Sequence, residues 1–298
     1  MNRTDYPSPK PFRQAARSHQ RLWLRNYLNV ESTDHKRVLL PHDKAYVGQN
    51  FFSDQVCEIV QGRYPNAFYP NSSGRPRILV GNALRSEHIP FNLFAPLSNY
   101  LKSDNLAAFF STLTGIALTA IDQIYFEYAE QAASSRLGDN TTFDAYAIAR
   151  QGDHRYAVCI EVKFTEGSYS WGATEKRRMF DASDSYVQLS EASTELQPRA
   201  FENLRNLHLK QIWRNFLLGV VTAEYLACDF VYMHFYPEGN HYQAAVCSHF
   251  AQNLTNKGLS TFRPTTYENF LNAAKDQLND DLSPWIQYID QRYIVPTI

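Results

Sequence analysis

The most constraining feature of this 298-residue chain is a pair of adjoining runs, Thr142–Arg150 and Arg155–Phe164, rich in β-branched and aromatic residues and separated by Gln151-Gly152-Asp153-His154. Such runs favour extended backbone and a Gly-Asp pair is a turn signal, so the segment is expected to form a β-hairpin. Centring the turn on Gly152-Asp153 sets Arg150 opposite Arg155, and the same count sets Asp144 opposite Glu161. Side chains alternate along a strand. Lys163 therefore shares the face of Glu161, while Ile160 and Val162 turn to the other face, toward an apolar core.

Two carboxylates directly opposite each other on a sheet repel, so this register asks for a compensating cation. A divalent metal meets the need. Magnesium, with manganese as the alternative, prefers oxygen ligands, is commonly held by one or two carboxylates, and keeps positions for water and phosphate. Asp144 and Glu161 are the expected metal ligands, with the Val162 carbonyl as a further oxygen between them. Such an ion eases deprotonation of a water molecule, and together with the Lys163 ammonium it offsets charge building on phosphate oxygens. The chemistry expected is phosphodiester hydrolysis, with Lys163 catalytic and its replacement by alanine leaving the fold intact.

Composition narrows the setting. With 44% hydrophobic residues the chain can bury a sizeable core, and its length suits one domain with an extension. The Pro-, Asn-, Ser- and Gly-rich stretch from Tyr64 to Pro76 is the expected boundary, giving an extension over 1–75 and a main domain over 76–298. Lys and Arg total 29 against 30 Asp and Glu, so contact with a polyanion must be local. Cys57, Cys159, Cys228 and Cys247 have no C-x-x-C spacing, which fits reduced thiols in the cytoplasm. The first ten residues form no secretory signal, and Asn105–Ile121, the longest uncharged segment, is too polar and short for a membrane span. Phosphate-loop, dinucleotide, zincin and hydrolase-elbow motifs do not occur, and His208, His234, His241 and His249 lack metal-ligand spacing with the cysteines.

Helical spacing is expected over Arg13–Leu28, Phe91–Leu101, Asn105–Ala117, Phe201–Leu226 and Tyr267–Leu278, and strands over Gln123–Tyr128 and Phe230–Tyr236. The sum is an α/β fold: a central mixed β-sheet flanked by helices, with a helical N-terminal extension. Arg13, Arg17, Arg21 and Arg25 recur every fourth residue and make a basic stripe, a candidate track for a phosphate backbone. Thr165–Ser185 reads as a polar loop in which Trp171 precedes Lys176-Arg177-Arg178, a basic and aromatic segment suited to nucleic acid. Glu127 ends the strand leading to the hairpin, and Gln211 and Arg214 share one helix face directed at the site.

An acid on one strand followed by E-x-K on the next resembles the PD-(D/E)XK nuclease superfamily, and within it a group of restriction endonucleases. The matching segments are Asn92-Leu93-Phe94, Phe126-Glu127, Gly138–Asp144, Ile160–Glu166 and Gln211–Arg214, spread over Gly81 to Ala274. By this resemblance Asp144 and Glu161 are the metal-binding acids, Lys163 the catalytic lysine, Glu127 an added metal ligand and Gln211 a helical glutamine that arranges the site. Glu166 is expected to cap the strand end. Gly138-Asp139 stands before Asp144 with no proline, a departure from the nominal motif. The resemblance implies a magnesium-dependent endonuclease acting on nucleic acid, DNA first, and it leaves a homodimer open. The alternative from another class is a nuclease fold without catalysis that binds nucleic acid or a protein.

Overall fold

The computed structural model of the chain describes residues 6–296 apart from 35 and 182. Five strands form one sheet in the order β1-β2-β3-β4-β5: Ala120–Tyr128, Phe143–Gln151, His154–Val162, Asp229–Tyr236 and Phe262–Thr266. The β1–β2 and β2–β3 pairs are antiparallel, whereas β3–β4 and β4–β5 are parallel. The sheet is mixed, as the sequence predicts. The hairpin register runs from Gln151 opposite His154, through Arg150 opposite Arg155, to Ala145 opposite Ile160, so the next step brings Asp144 beside Glu161. Gly152 takes φ 59° at the first turn position, a left-handed conformation that glycine reaches without cost.

Each face of the sheet is covered. On one, Ala145, Ala147, Val158, Ile160, Val162, Val231, Met233 and Phe235 pack in a single apolar cluster with helices Lys10–Leu28, Asp54–Arg63, Ile89–Phe94, Asp104–Thr114, Tyr267–Gln277 and Ser283–Tyr293. On the other, Tyr146, Cys159, Phe230 and Tyr232 pack beneath helices Gln131–Leu137, Ser185–Ala192, Lys210–Leu226 and His241–Ala251. Residues before 76 contribute Phe12, Ala16, Trp23, Leu24, Val56 and Val60 to the first cluster. No helix among the described residues is long and apolar enough to cross a membrane.

Several segments differ from the sequence expectation. The Thr165–Ser185 loop contains the short helix Ala173–Met179. The single helix expected over Phe201–Leu226 is broken into Phe201–Leu204 and Lys210–Leu226. At the break the Asn206 side chain accepts the His208 N–H at 2.9 Å, a local bond that competes with helix continuation. The aromatic C-terminal tail is itself helical over Ser283–Tyr293, and β5, which contains Pro264, was not expected; a proline fits there because β5 is an edge strand.

Candidate active site

The alternation that sends Ile160 and Val162 into one core sends Glu161 to the opposite face, where the Lys210–Leu226 helix crosses the sheet. Asp144, Glu161, Lys163, Glu127, Gln211 and Arg214 line one cavity of about 460 Å³ there. The carboxylates of residues 144 and 161 are thus on the same side of the sheet.

Glu161 is only 1% exposed and both its oxygens are occupied. Oε1 accepts from Lys163 Nζ and, at 2.8 Å, from Gln211 Nε2, while Oε2 accepts from Asn215 Nδ2. Asn215 stands one helical turn beyond Gln211, and that i,i+4 spacing was the signal that could have found it. Asp144 Oδ2 accepts the Val162 N–H at 2.7 Å, and among the described residues no donor engages its Oδ1. Glu127, next to last in β1, has φ 49°, with Thr142 Oγ1 donating to its Oε2 at 3.2 Å and Arg63 Nη2 to its carbonyl at 2.8 Å. Lys163 is 6% exposed. Its backbone is held on both sides: Lys163 N–H donates to the Phe235 carbonyl at 2.8 Å and Tyr267 Oη donates to the Lys163 carbonyl at 2.9 Å. Glu166 caps the strand end by accepting the N–H groups of Phe164 and Ser86, each at 2.8 Å.

The electrostatics follow from burial and proximity. Burial, and then the Glu161 charge, push the Asp144 carboxyl well above the ordinary range, and the same two causes raise Glu127. Burial raises Glu161 in spite of Lys163 beside it. Burial by itself would lower the Lys163 ammonium, but Glu161 and Asp144 outweigh it, and the group stays cationic. His234, next to Glu161 across the β3–β4 pair, is pushed down to about 3 by burial and by Lys163. It is a neutral core histidine.

These donors suit a hard divalent cation. They are oxygen atoms, the acids carry charge that their surroundings do not fully compensate, and Asp144 keeps one oxygen without a protein donor. No three His, Cys, Asp or Glu side chains among the described residues form a ready metal cage.

Most of the expected basic residues also bond within the chain. Arg13 donates to the Thr165 carbonyl at 3.0 Å, Arg17 to the Lys36 carbonyl at 3.0 Å, and Arg25 pairs with Glu31 at 2.8 Å. Arg21 has a buried Nε with no hydrogen-bond partner among the described residues. Arg178 bonds the Leu137 and Gly138 carbonyls at 2.9 and 3.0 Å and Asp184 at 2.8 Å, tying together three segments. Lys176 and Arg177 are exposed on the same short helix. Of these predicted contacts only Arg214 lines the cavity, where it pairs with Asp139 at 2.7 Å and with Glu175 at 2.7 Å. Lys210, Arg85, Glu87 and Tyr169 also line it and were not expected; Lys210 stands one turn before Arg214 on the same helix, a spacing that could have found it, whereas the other three lie in loops and carry no periodic signal.

No curated protein and no solved structure matches the chain significantly. A family model does, over residues 7–295, a span that takes in both the paired acids and the helix that clamps Glu161. With that match across nearly its whole length, the chain belongs to the PD-(D/E)XK nuclease superfamily.

Proposed function

We propose that this protein is a magnesium-dependent endonuclease of the restriction type that hydrolyses phosphodiester bonds in DNA. Members of the superfamily generally hydrolyse phosphodiesters and typically use divalent metals. The observation that carries the reading is that Asp144, Glu161 and Lys163 line one cavity, with Glu161 held through both oxygens.

Asp144 and Glu161 would hold the ion, with the Val162 carbonyl and Glu127 as further oxygens, and manganese would serve in place of magnesium. Once bound, the ion supplies positive charge against the phosphate oxygens and makes water easier to deprotonate. Lys163 brings a permanently charged donor, which orients the attacking water and stabilises the crowded phosphate. Gln211 and Asn215 fix the Glu161 carboxylate, and Oε2, which among the described residues accepts from Asn215 alone, keeps a lone pair for the ion. A cytoplasmic setting belongs to this reading and is supported by four unpaired cysteines. A homodimer is the most direct way to cut both strands.

Incubation with plasmid DNA in magnesium or in chelator tests the reading. Nicking is expected in magnesium and none in chelator. A mobility shift without nicking in either condition would replace it with the binding-module alternative, and RNA and branched DNA in the same assay separate the substrate classes.

A further inference from the structure

Lys210 and Arg214 stand on the helix that clamps Glu161 and line the same cavity as the acids, yet neither is free. One carboxylate bridges them: Glu175 Oε2 lies 3.0 Å from Lys210 Nζ and Glu175 Oε1 lies 2.7 Å from Arg214 Nη1. Glu175 comes from the Ala173–Met179 helix, a thin element of which only Met179 is buried. That helix is tied down near its end by Arg178, and near its start by this carboxylate, which also accepts the Gly172 N–H at 3.3 Å. The remaining bonds of the two cations orient them. Arg214 is braced by Asp139 at 2.7 Å and Thr141 at 3.0 Å, and Lys210 by the Ser170 carbonyl at 3.3 Å and the Trp171 ring, 4.6 Å away.

A carboxylate and a phosphodiester both present two oxygens in a fork, and an ammonium with a guanidinium takes either in the same way. Lys210 is almost wholly buried, and a buried cation needs an anionic partner at all times. Glu175 is that partner at rest. A polynucleotide that places its scissile phosphate at the acids must run on past the cavity wall, and its neighbouring phosphates need cations there.

We propose that Lys210 and Arg214 form a second phosphate site, for a phosphodiester adjoining the scissile one, and that Glu175 fills it until nucleic acid displaces it. The site rests on the phosphodiester reading of the cavity. Displacement frees the start of the Ala173–Met179 helix, which carries exposed Lys176 and Arg177 onto the bound strand.

Fluorescence polarisation with a labelled DNA oligonucleotide in chelator, over a series of salt concentrations, tests the site without any chemistry. Glu175→Gln is expected to tighten binding about tenfold, the scale of one charge-assisted contact no longer exchanged. The slope of log affinity against log salt should stay near the wild-type value, because the same phosphate is neutralised in both proteins once Glu175 has left. Adding Lys210→Gln should cancel most of that gain. Glu175→Asp, too short to span both cations, is expected to act in the same direction and serves if the glutamine variant folds poorly. Unchanged or weaker affinity in both variants would overturn the proposal. Tighter binding by a protein that cleaves nothing in magnesium would instead retain this site and reject the hydrolytic reading.

Discussion

Lys163 is the only cation in contact with Glu161 among the described residues, and both side chains are buried. Removing one partner of a buried pair leaves an uncompensated charge, at a cost of about 3–5 kcal/mol. Lys163→Ala is therefore expected to destabilise the metal-free protein as well as abolish cleavage, contrary to the sequence-based expectation of an intact fold; equal thermal unfolding of the two proteins in chelator would refute this. Asp144 gives the complementary test. Its carboxyl, like those of Glu127 and Glu161, is raised in the folded state. A raised acid lends stability that is full below its unfolded pKa, about 4, and is lost as pH rises through the folded value. Asp144→Asn keeps an acceptor for the Val162 N–H and carries no charge. In chelator it should exceed the wild type in stability by on the order of 1 kcal/mol at neutral pH, with the gap closing toward pH 4. Magnesium should stabilise the wild type increasingly with pH and the variant far less, and melting curves that ignore both pH and metal would dismiss the paired-acid account.

At the scale of elements, the Lys210–Leu226 helix delivers Gln211, Arg214 and Asn215 to the cavity, and its distance from the sheet is set at Gly219. A Cβ there would lie 2.9 Å from Phe230 Cδ2 and 3.0 Å from Cε2. Gly219→Ala gains helix propensity of about 1 kcal/mol but overpacks a buried contact by about 1–3 kcal/mol. We expect net destabilisation and reduced turnover, read by denaturant unfolding and by plasmid cleavage; a more stable, fully active variant would show that the close approach is unimportant. Next to the last residue of β1 lies a strained point, Glu127 at φ 49°. Left-handed backbone costs a non-glycine residue about 1–2 kcal/mol, so Glu127→Gly should be more stable than Glu127→Ala although both lose the carboxylate. The reverse order would place no strain there. The hairpin was legible because its register depends on a turn and on period-two alternation, both local. The break at Asn206 and the Ala173–Met179 helix were not, because the first turns on one side-chain bond and the second on ion pairs to a distant helix.

For the molecule as a whole, the sheet is closed on one face by helices from both ends of the chain. Lys10–Leu28 and Ser283–Tyr293 meet there, with Trp23 stacked on the guanidinium of the fully buried Arg292 at 4.2 Å and Gln20 Nε2 bonded to the Arg292 carbonyl. A 76–298 fragment would lose these contacts together with Val56 and Val60, so it is expected to be insoluble or to melt far below the full chain. A fragment that folds with an unchanged transition would instead support a separate N-terminal extension. Arg13, Arg17 and Arg25 of that first helix repeat as a phosphate track would, and each also bonds an oxygen within the chain that only the folded path of the backbone brings near.

What the amino-acid order determined unaided was the pairing of residue 144 with residue 161 and the placing of Lys163 beside them, since turn chemistry and strand alternation act over neighbouring residues. The folded chain decided the rest: which amides hold Glu161, which cations face the cavity and which are consumed elsewhere. Those choices join residues some 40 to 150 positions apart, and their energies come from burial and charge compensation that exist only once the helices have packed on the sheet.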